Sequence, residues 1–306
     1  MPRDFSPQDR DDLGRVLPDA DLRENERERQ SINLPQERLT SRPPERVPER
    51  TPQEIGPRFR FTDGRAILYD RDRGYRLSES QIRTIAELGK FRVIADPDLA
   101  EYAYGGNREE ARHDIESLVR QGLARKGTFE GPESNTRELL TLTRRGHRLL
   151  RANRLVPPNQ AVFYGFVKPR EANHDADLYR LYQKEAARLE QQGGRILRVI
   201  LDYELKRRIN RDIARFGTEA RPEIAARHGL DVVRNKIPVP DLRIEYETRD
   251  GEMARVNLEL VTEHYRGRHI AEKVHAGFTL YTPRGEADRL RRVLDQRELT
   301  ADILSL

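Results

Sequence analysis

A chain of 306 residues has room for roughly two domains of ordinary size, and with 36% hydrophobic and 36% charged residues it is polar for a globular protein. It has no cysteine, which excludes disulfides, thiol nucleophiles and cysteine-ligated metal. No apolar run approaches the ~18 residues of a membrane helix and the charged N-terminus carries no secretory leader, so a cytoplasmic protein without a membrane partner is expected.

The net charge is +5, and only seven of the 57 basic residues are lysine. A GC-rich genome would produce that bias. A phosphate-rich partner such as DNA would also suit it, because the guanidinium fork binds phosphate through two hydrogen bonds.

Residues 1–56 contain clusters such as Arg42-Pro43-Pro44-Glu45-Arg46 and almost no apolar periodicity. They read as a disordered, charged arm, with a transient helix over 19–30, and such arms often fold on protein partners. From Phe59 the pattern changes. The run 59–77 alternates around Asp63-Gly64 and predicts a small hairpin.

Residues 57–155 continue as a compact helical unit. Ser78 caps a helix carrying Ile82, Ile85, Ala86 and Leu88; 98–104 form a short second helix; Asn107 caps a third with Ala111, Ile115, Leu118 and Val119 inward, stopped by Gly122. Two strands over 123–131 and 137–143 precede a last helix over 144–155. That order is the order of a winged helix-turn-helix. In such a module the third helix enters the major groove and the hairpin rides the phosphates. Arg108, Arg112 and His113, with Arg120, Arg125 and Lys126 near the wing, are then the candidate DNA contacts. Glu109, Glu110, Asp114 and Glu116 on the same helix argue for the other use of such modules, protein docking.

Pro157-Pro158 introduces the second domain, 156–306. It starts with a long helix over 174–192, a strand over 195–205, a basic helix over 206–216 and a short helix over 222–228. The runs 241–248 and 253–262 then alternate with period two, and Arg249-Asp250-Gly251 between them suits a three-residue hairpin loop with glycine at the left-handed position. Counting back from that loop pairs Thr248 with Glu252, Leu242 with Leu258 and Asp241 with Glu259. A one-residue slip would scramble both faces. A helix over 269–278 and a strand at 280–282 complete a mixed sheet between helices.

Asp241 and Glu259 are thus placed side by side, with Lys273 on the helix that follows. Two carboxylates can hold Mg²⁺, a hard cation that favours oxygen ligands, and an ammonium can stabilise charge developing on a phosphate. Asp175, Glu185 or Glu263 could add a carboxylate, and His264 or His269 an acid, base or phosphate contact. The plainer alternative is a solvated polar face on an ordinary amphipathic hairpin.

The element order with Pro240-Asp241 and Glu259 on neighbouring strands resembles the core of the PD-(D/E)XK nuclease superfamily. Val261 stands where the usual pattern has lysine, and Lys273 is the candidate in its place. The succession Leu77-Ser78-Glu79-Ser80-Gln81, Asp114 to Leu123 and Leu142-Thr143-Arg144-Arg145-Gly146, with His174-Asp175, Pro240-Asp241, Leu258-Glu259-Leu260 and Lys273, resembles the replication-relaxation family of plasmids and mobile elements. That resemblance spans about Leu77 to Pro283 and implies a winged helix followed by a nuclease-like α/β domain; with the disordered arm read from composition, an α+β chain of three parts is expected. The resemblance further implies a DNA-binding protein, either a Mg²⁺-dependent nicking or cleaving enzyme or a non-catalytic accessory with a degenerate nuclease-like domain. A protein-assembly factor using the arm and winged helix is the third alternative.

Overall fold

The structure is a computed structural model and describes residues 61–131, 135–262, 265, 267–283, 286–296, 301 and 303–305. The expected arm, its helix over 19–30, Glu263 and His264 lie outside the described residues. What is described is mixed α+β, as expected at that level.

Strands β1 (Phe61–Thr62), β2 (Arg65–Asp70) and β3 (Arg73–Ser78) form an antiparallel meander. Asp63 and Gly64, at φ 52° and 68°, make the first turn with the positive φ values that a two-residue hairpin favours. The sequence pattern predicts one hairpin only. A second turn at Arg71-Asp72, with Arg71 at φ 55°, folds β3 back as well, without any glycine to announce it.

Helix α1 (Glu79–Lys90) starts at a capping box in which the Ser78 hydroxyl accepts from Gln81 N–H and the Gln81 side chain accepts from Ser78 N–H. Strand β4 (Ile94–Ala95) leads to α2 (Asp96–Ala103), and Asn107 caps α3 (Arg108–Arg120), which ends at Gly122 with φ +70°. Strands β5 (Ala124–Glu130) and β6 (Thr136–Leu142) pair antiparallel, with β4 on the other edge of β6. Helix α4 (Arg144–Ala152) is capped by Thr143 and buries Leu149 and Leu150. A Cβ at Gly146 would stand 2.2 Å from the Leu123 carbonyl oxygen, so only glycine lets α4 lie this close to β5.

Helix α5 (Pro169–Gln191) begins before His174, with proline in its first turn, where the missing N–H costs no hydrogen bond. The strand expected over 195–205 is shorter: β7 (Arg195–Leu201) stops at Leu201, and Asp202 opens α6 (Asp202–Phe216). Asp202 and Glu204 in that first turn meet the positive end of the helix, which outweighs the apolar run that suggested a longer strand. A short 3₁₀ turn and α7 (Arg221–Arg227) follow, then β8 (Leu242–Glu247), β9 (Met253–Leu260), α8 (Gly267–His275) and β10 (Thr279–Thr282). Helix α9 (Ala287–Asp295) and β11 (Ile303–Ser305) follow, elements the sequence analysis did not predict, with Leu290, Leu294 and Ile303 joining Val261 and Leu280 in an apolar cluster. The sheet order is β7-β8-β9-β10-β11; β7, β8 and β9 are antiparallel, and β10 and β11 run parallel to β9.

Residues 57–306 make one compact unit. One hydrophobic cluster runs through it from Leu68, Leu77 and Leu150 to Leu178, Leu258 and Tyr281. The join is aromatic: the Phe91 ring meets Tyr179 edge-on at 5.1 Å and Tyr182 at 5.2 Å. Each such pair adds about 0.5–1.5 kcal/mol to the area it buries.

Candidate active site

The hairpin register is the expected one. Leu242 pairs with Leu258, Thr248 N–H donates to the Glu252 carbonyl at 2.8 Å, and Gly251 takes φ +82°. Leu242, Ile244, Leu258 and Leu260 enter the core beside α5. Alternation alone predicts a solvated opposite face, yet Glu259 is fully buried and Arg243 is 3% exposed. The Arg243 guanidinium is satisfied by Asn257 and by the carbonyls of His228 and Gly229, which follow α7 and cover this face.

Asp241 and Glu259 interlock at the head of the two strands. Asp241 N–H donates to Glu259 Oε2 at 3.2 Å, and Leu260 N–H donates to Asp241 Oδ2 at 3.0 Å. The Lys273 ammonium on α8 stands 2.7 Å from Glu259 Oε1 and donates to the Val239 carbonyl at 2.7 Å. Asp241, Glu259 and Lys273 therefore meet, with Tyr265 as a fourth member whose hydroxyl donates to Glu259 Oε1 at 2.9 Å. Burial is the largest influence on both acids. It pushes the Asp241 carboxyl up to about 6 against the pull of Lys273. Glu259 rises to about 7 through burial and the Asp241 charge, again opposed by Lys273.

Around this cluster lie groups that the sequence reading did not single out. Asp202 N–H donates to the Asp241 carbonyl at 3.0 Å, and its carboxylate holds Lys206 at 2.5 Å. The only local signal was an acid and a lysine four apart at the start of a helix. Asp241 lines a cleft of about 510 Å³ whose other charged walls are all cationic: Lys206, Arg221, Lys236 and Lys273.

The accessory candidates separate. Asp175 pairs with Arg92 at 3.2 Å, and burial raises its carboxyl to about 6. Its neighbour His174 is the group that reaches the site, with Nε2 3.4 Å from Asp241 Oδ2. Glu185 does not join: it lies buried on the α5 side of the sheet, bound by Arg188 through two hydrogen bonds and by the Tyr281 hydroxyl at 2.7 Å, so its role is to tie α5 to β10. His269 is exposed on α8 and lines no part of the cleft.

On α3, Arg108, Arg112, His113 and Arg120 are exposed, and none forms an ion pair among the described residues. Two of the other expected DNA contacts are engaged within the protein. Lys126 is held at 2.8 Å by both Asp96 and Glu138, and Arg125 lies over the Phe166 ring at 4.8 Å. Asp114, expected among the outward acids of α3, points inward instead. It accepts from Ser80 at 2.5 Å, Gln81 at 2.9 Å and Tyr104 at 3.2 Å, so the outer face of α3 is less acidic than its sequence suggests.

Among the described residues no three histidines or acids come together as a ready cage for a metal ion, and no helix is long and apolar enough to cross a membrane. No protein family, curated protein or solved structure matches this chain.

Proposed function

We propose that this chain is a DNA-binding protein that cleaves or nicks phosphodiesters with the help of a divalent cation. One observation carries the reading: the buried Glu259 carboxylate, the part-buried Asp241 carboxylate and the Lys273 ammonium converge beside a cleft whose remaining charged walls are cations. That arrangement suits a polyanion bound across a site able to hold a metal.

The donor set fits Mg²⁺. Both acids supply hard oxygens, and Asp241 Oδ1 has no protein partner among the described residues, on a side chain that lines the cleft. Asp241 and Glu259 would hold the ion, which when bound would activate water and neutralise phosphate charge. The raised pKa values support this reading, since two desolvated carboxylates that resist ionising side by side are relieved by a dication. With only two protein carboxylates, the ion would keep waters or take phosphate oxygens, as Mg²⁺ commonly does.

The chain's own groups then have distinct tasks. Lys273 is fixed by Glu259 and the Val239 carbonyl beside the place where a phosphate would accumulate charge. Tyr265 orients Glu259 through its hydroxyl. Lys206, tethered by Asp202, adds positive potential on the cleft wall. The order of α1, α2, α3, the β5–β6 hairpin and α4 agrees with a winged helix whose exposed arginines on α3 would meet DNA phosphates. The likeness to replication-relaxation proteins suggests DNA of a plasmid or mobile element.

A second reading, a non-catalytic DNA-binding accessory, draws on two specific observations. Val261 packs into an apolar cluster with Ile270 and Leu280 where nuclease patterns carry a polar group, and Glu259 Oε1 is already engaged by Lys273 and Tyr265. Purified protein with Mg²⁺ or Mn²⁺ and supercoiled plasmid decides between them. Nicking that disappears in Asp241→Ala and Glu259→Ala is expected; undiminished cutting by both variants removes the proposed site, and salt-sensitive gel shifts without cutting favour the accessory.

A further inference from the structure

The cleft beside the acid pair has two chemically different sides. Near Asp241 it is charged, while Ile209, Ile213 and Ile237 form an apolar wall continuous with buried Ile224, Leu230 and Phe278. An intact duplex would present only phosphates here and leave that wall facing water.

Two cations of the lining, Arg221 and Lys236, have no acidic partner among the described residues, whereas Lys206 is held by Asp202 and Lys273 by Glu259. Lys236 closes a tight turn: Val233 and Lys236 exchange backbone hydrogen bonds of 2.8 and 3.0 Å, and Arg234 and Asn235 between them take φ 50° and 59°. Arg221 reaches the same turn through Asn235 Oδ1 at 3.5 Å. The cleft volume of about 510 Å³ lies within the ~300–1,000 Å³ of pockets that enclose one small ligand. A single nucleotide is of that class.

We infer that the cleft receives one unpaired nucleotide of a DNA strand. The base would rest on Ile209, Ile213 and Ile237, with the Asn210 amide beside it, and the flanking phosphates would meet Arg221 and Lys236. The phosphodiester brought to Asp241 and Glu259 then belongs to single-stranded or locally opened DNA. Removing a base from the stack costs a few kcal/mol in a duplex and far less where pairing is already lost, so selectivity for such DNA follows.

This inference rests on the hydrolytic reading for its reaction but not for its test. Binding is measured by anisotropy with Ca²⁺ in place of Mg²⁺, using a single-stranded oligonucleotide carrying 2-aminopurine and its blunt duplex. The single strand should bind about tenfold tighter, with 2-aminopurine emission rising as the base leaves its stacked neighbours for an aliphatic wall. Ile237→Trp, which fills the cleft, should abolish the preference and the emission change while leaving duplex affinity in place. Asn210→Ala, on an exposed helical position, should weaken single-strand binding selectively and serves as the safer variant should Ile237→Trp lose its fold. Equal affinity for the two DNAs, binding to neither, or a preference that survives both variants would overturn the inference. Gel shifts without any cutting would instead sink the hydrolytic reading, and undiminished cutting by both Asp241→Ala and Glu259→Ala would remove its proposed site; either result would leave these affinities unmoved.

Discussion

Asp241→Asn tests the electrostatics of the site most directly. The amide oxygen of the new side chain can still accept from Leu260 N–H, so the substitution removes a charge and little else. The folded carboxyl ionises at about 6 rather than 3.8, because burial disfavours the anion more than Lys273 favours it. At about 1.4 kcal/mol per pH unit, that gap amounts to roughly 2–3 kcal/mol of stability withheld from the wild type once the group is charged. The sign follows from the raised value: below about pH 4 the acid is protonated in both folded and unfolded chains and the two proteins should melt together. As pH rises from there through 6, the wild type loses stability relative to Asp241→Asn, and the full difference is present at pH 8. At roughly 2–4 °C per kcal/mol for a chain of this size, the variant should melt about 4–12 °C higher at pH 8. Differential scanning fluorimetry from pH 4 to 8, with and without millimolar Mg²⁺, measures it. Mg²⁺ should raise the wild-type Tm at pH 8 and leave the variant nearly unmoved. A variant that melts lower at every pH, or a difference independent of pH, would refute the account of a desolvated carboxylate awaiting a cation.

Lys273→Met leaves Glu259 fully buried without its ammonium, a change of about 3–5 kcal/mol when the acid is charged. Melts at pH 9 should show that loss, and melts near pH 5 a smaller one, since the protonated acid needs no counter-charge; a pH-independent loss would point to packing alone. Phe91→Ala removes two aromatic contacts that join the first half of the unit to α5, and should lower unfolding free energy by about 3–5 kcal/mol in a single denaturant transition. A loss below about 1 kcal/mol would contradict the shared core. Arg112→Ala with Arg120→Ala should weaken DNA binding across sequences and flatten the slope of log affinity against log salt by nearly two, whereas Lys126→Ala, whose charge Asp96 and Glu138 already neutralise, should change little. Anisotropy titrations at several salt concentrations separate the two outcomes.

Much of this was legible in the sequence because its causes are local. Ser78 and Asn107 accept hydrogen bonds from residues three positions on, so the starts of α1 and α3 depend on their own neighbourhoods. Gly251 and the alternation on either side of it set the register that puts Asp241 against Glu259, and no distant group is needed to choose it. Lys273 could be nominated for the same reason, since it lies on the next helix. The remaining assignments depended on what packs over each face. An exposed strand face and one covered by α6, α7 and the segment after them have the same alternation, so the burial of Glu259 and Arg243, and with it the raised pKa of the acids, followed only from the tertiary structure. Asp202, Tyr265 and His174 reached the site, and Glu185 and Lys126 were claimed by Arg188, Tyr281, Asp96 and Glu138, through contacts that mostly join elements distant in the chain. Hydrogen bonds and chain stiffness act over a few residues and write themselves into the sequence; desolvation and charge pairing depend on which surfaces meet, and that is settled only when the helices close over the sheet.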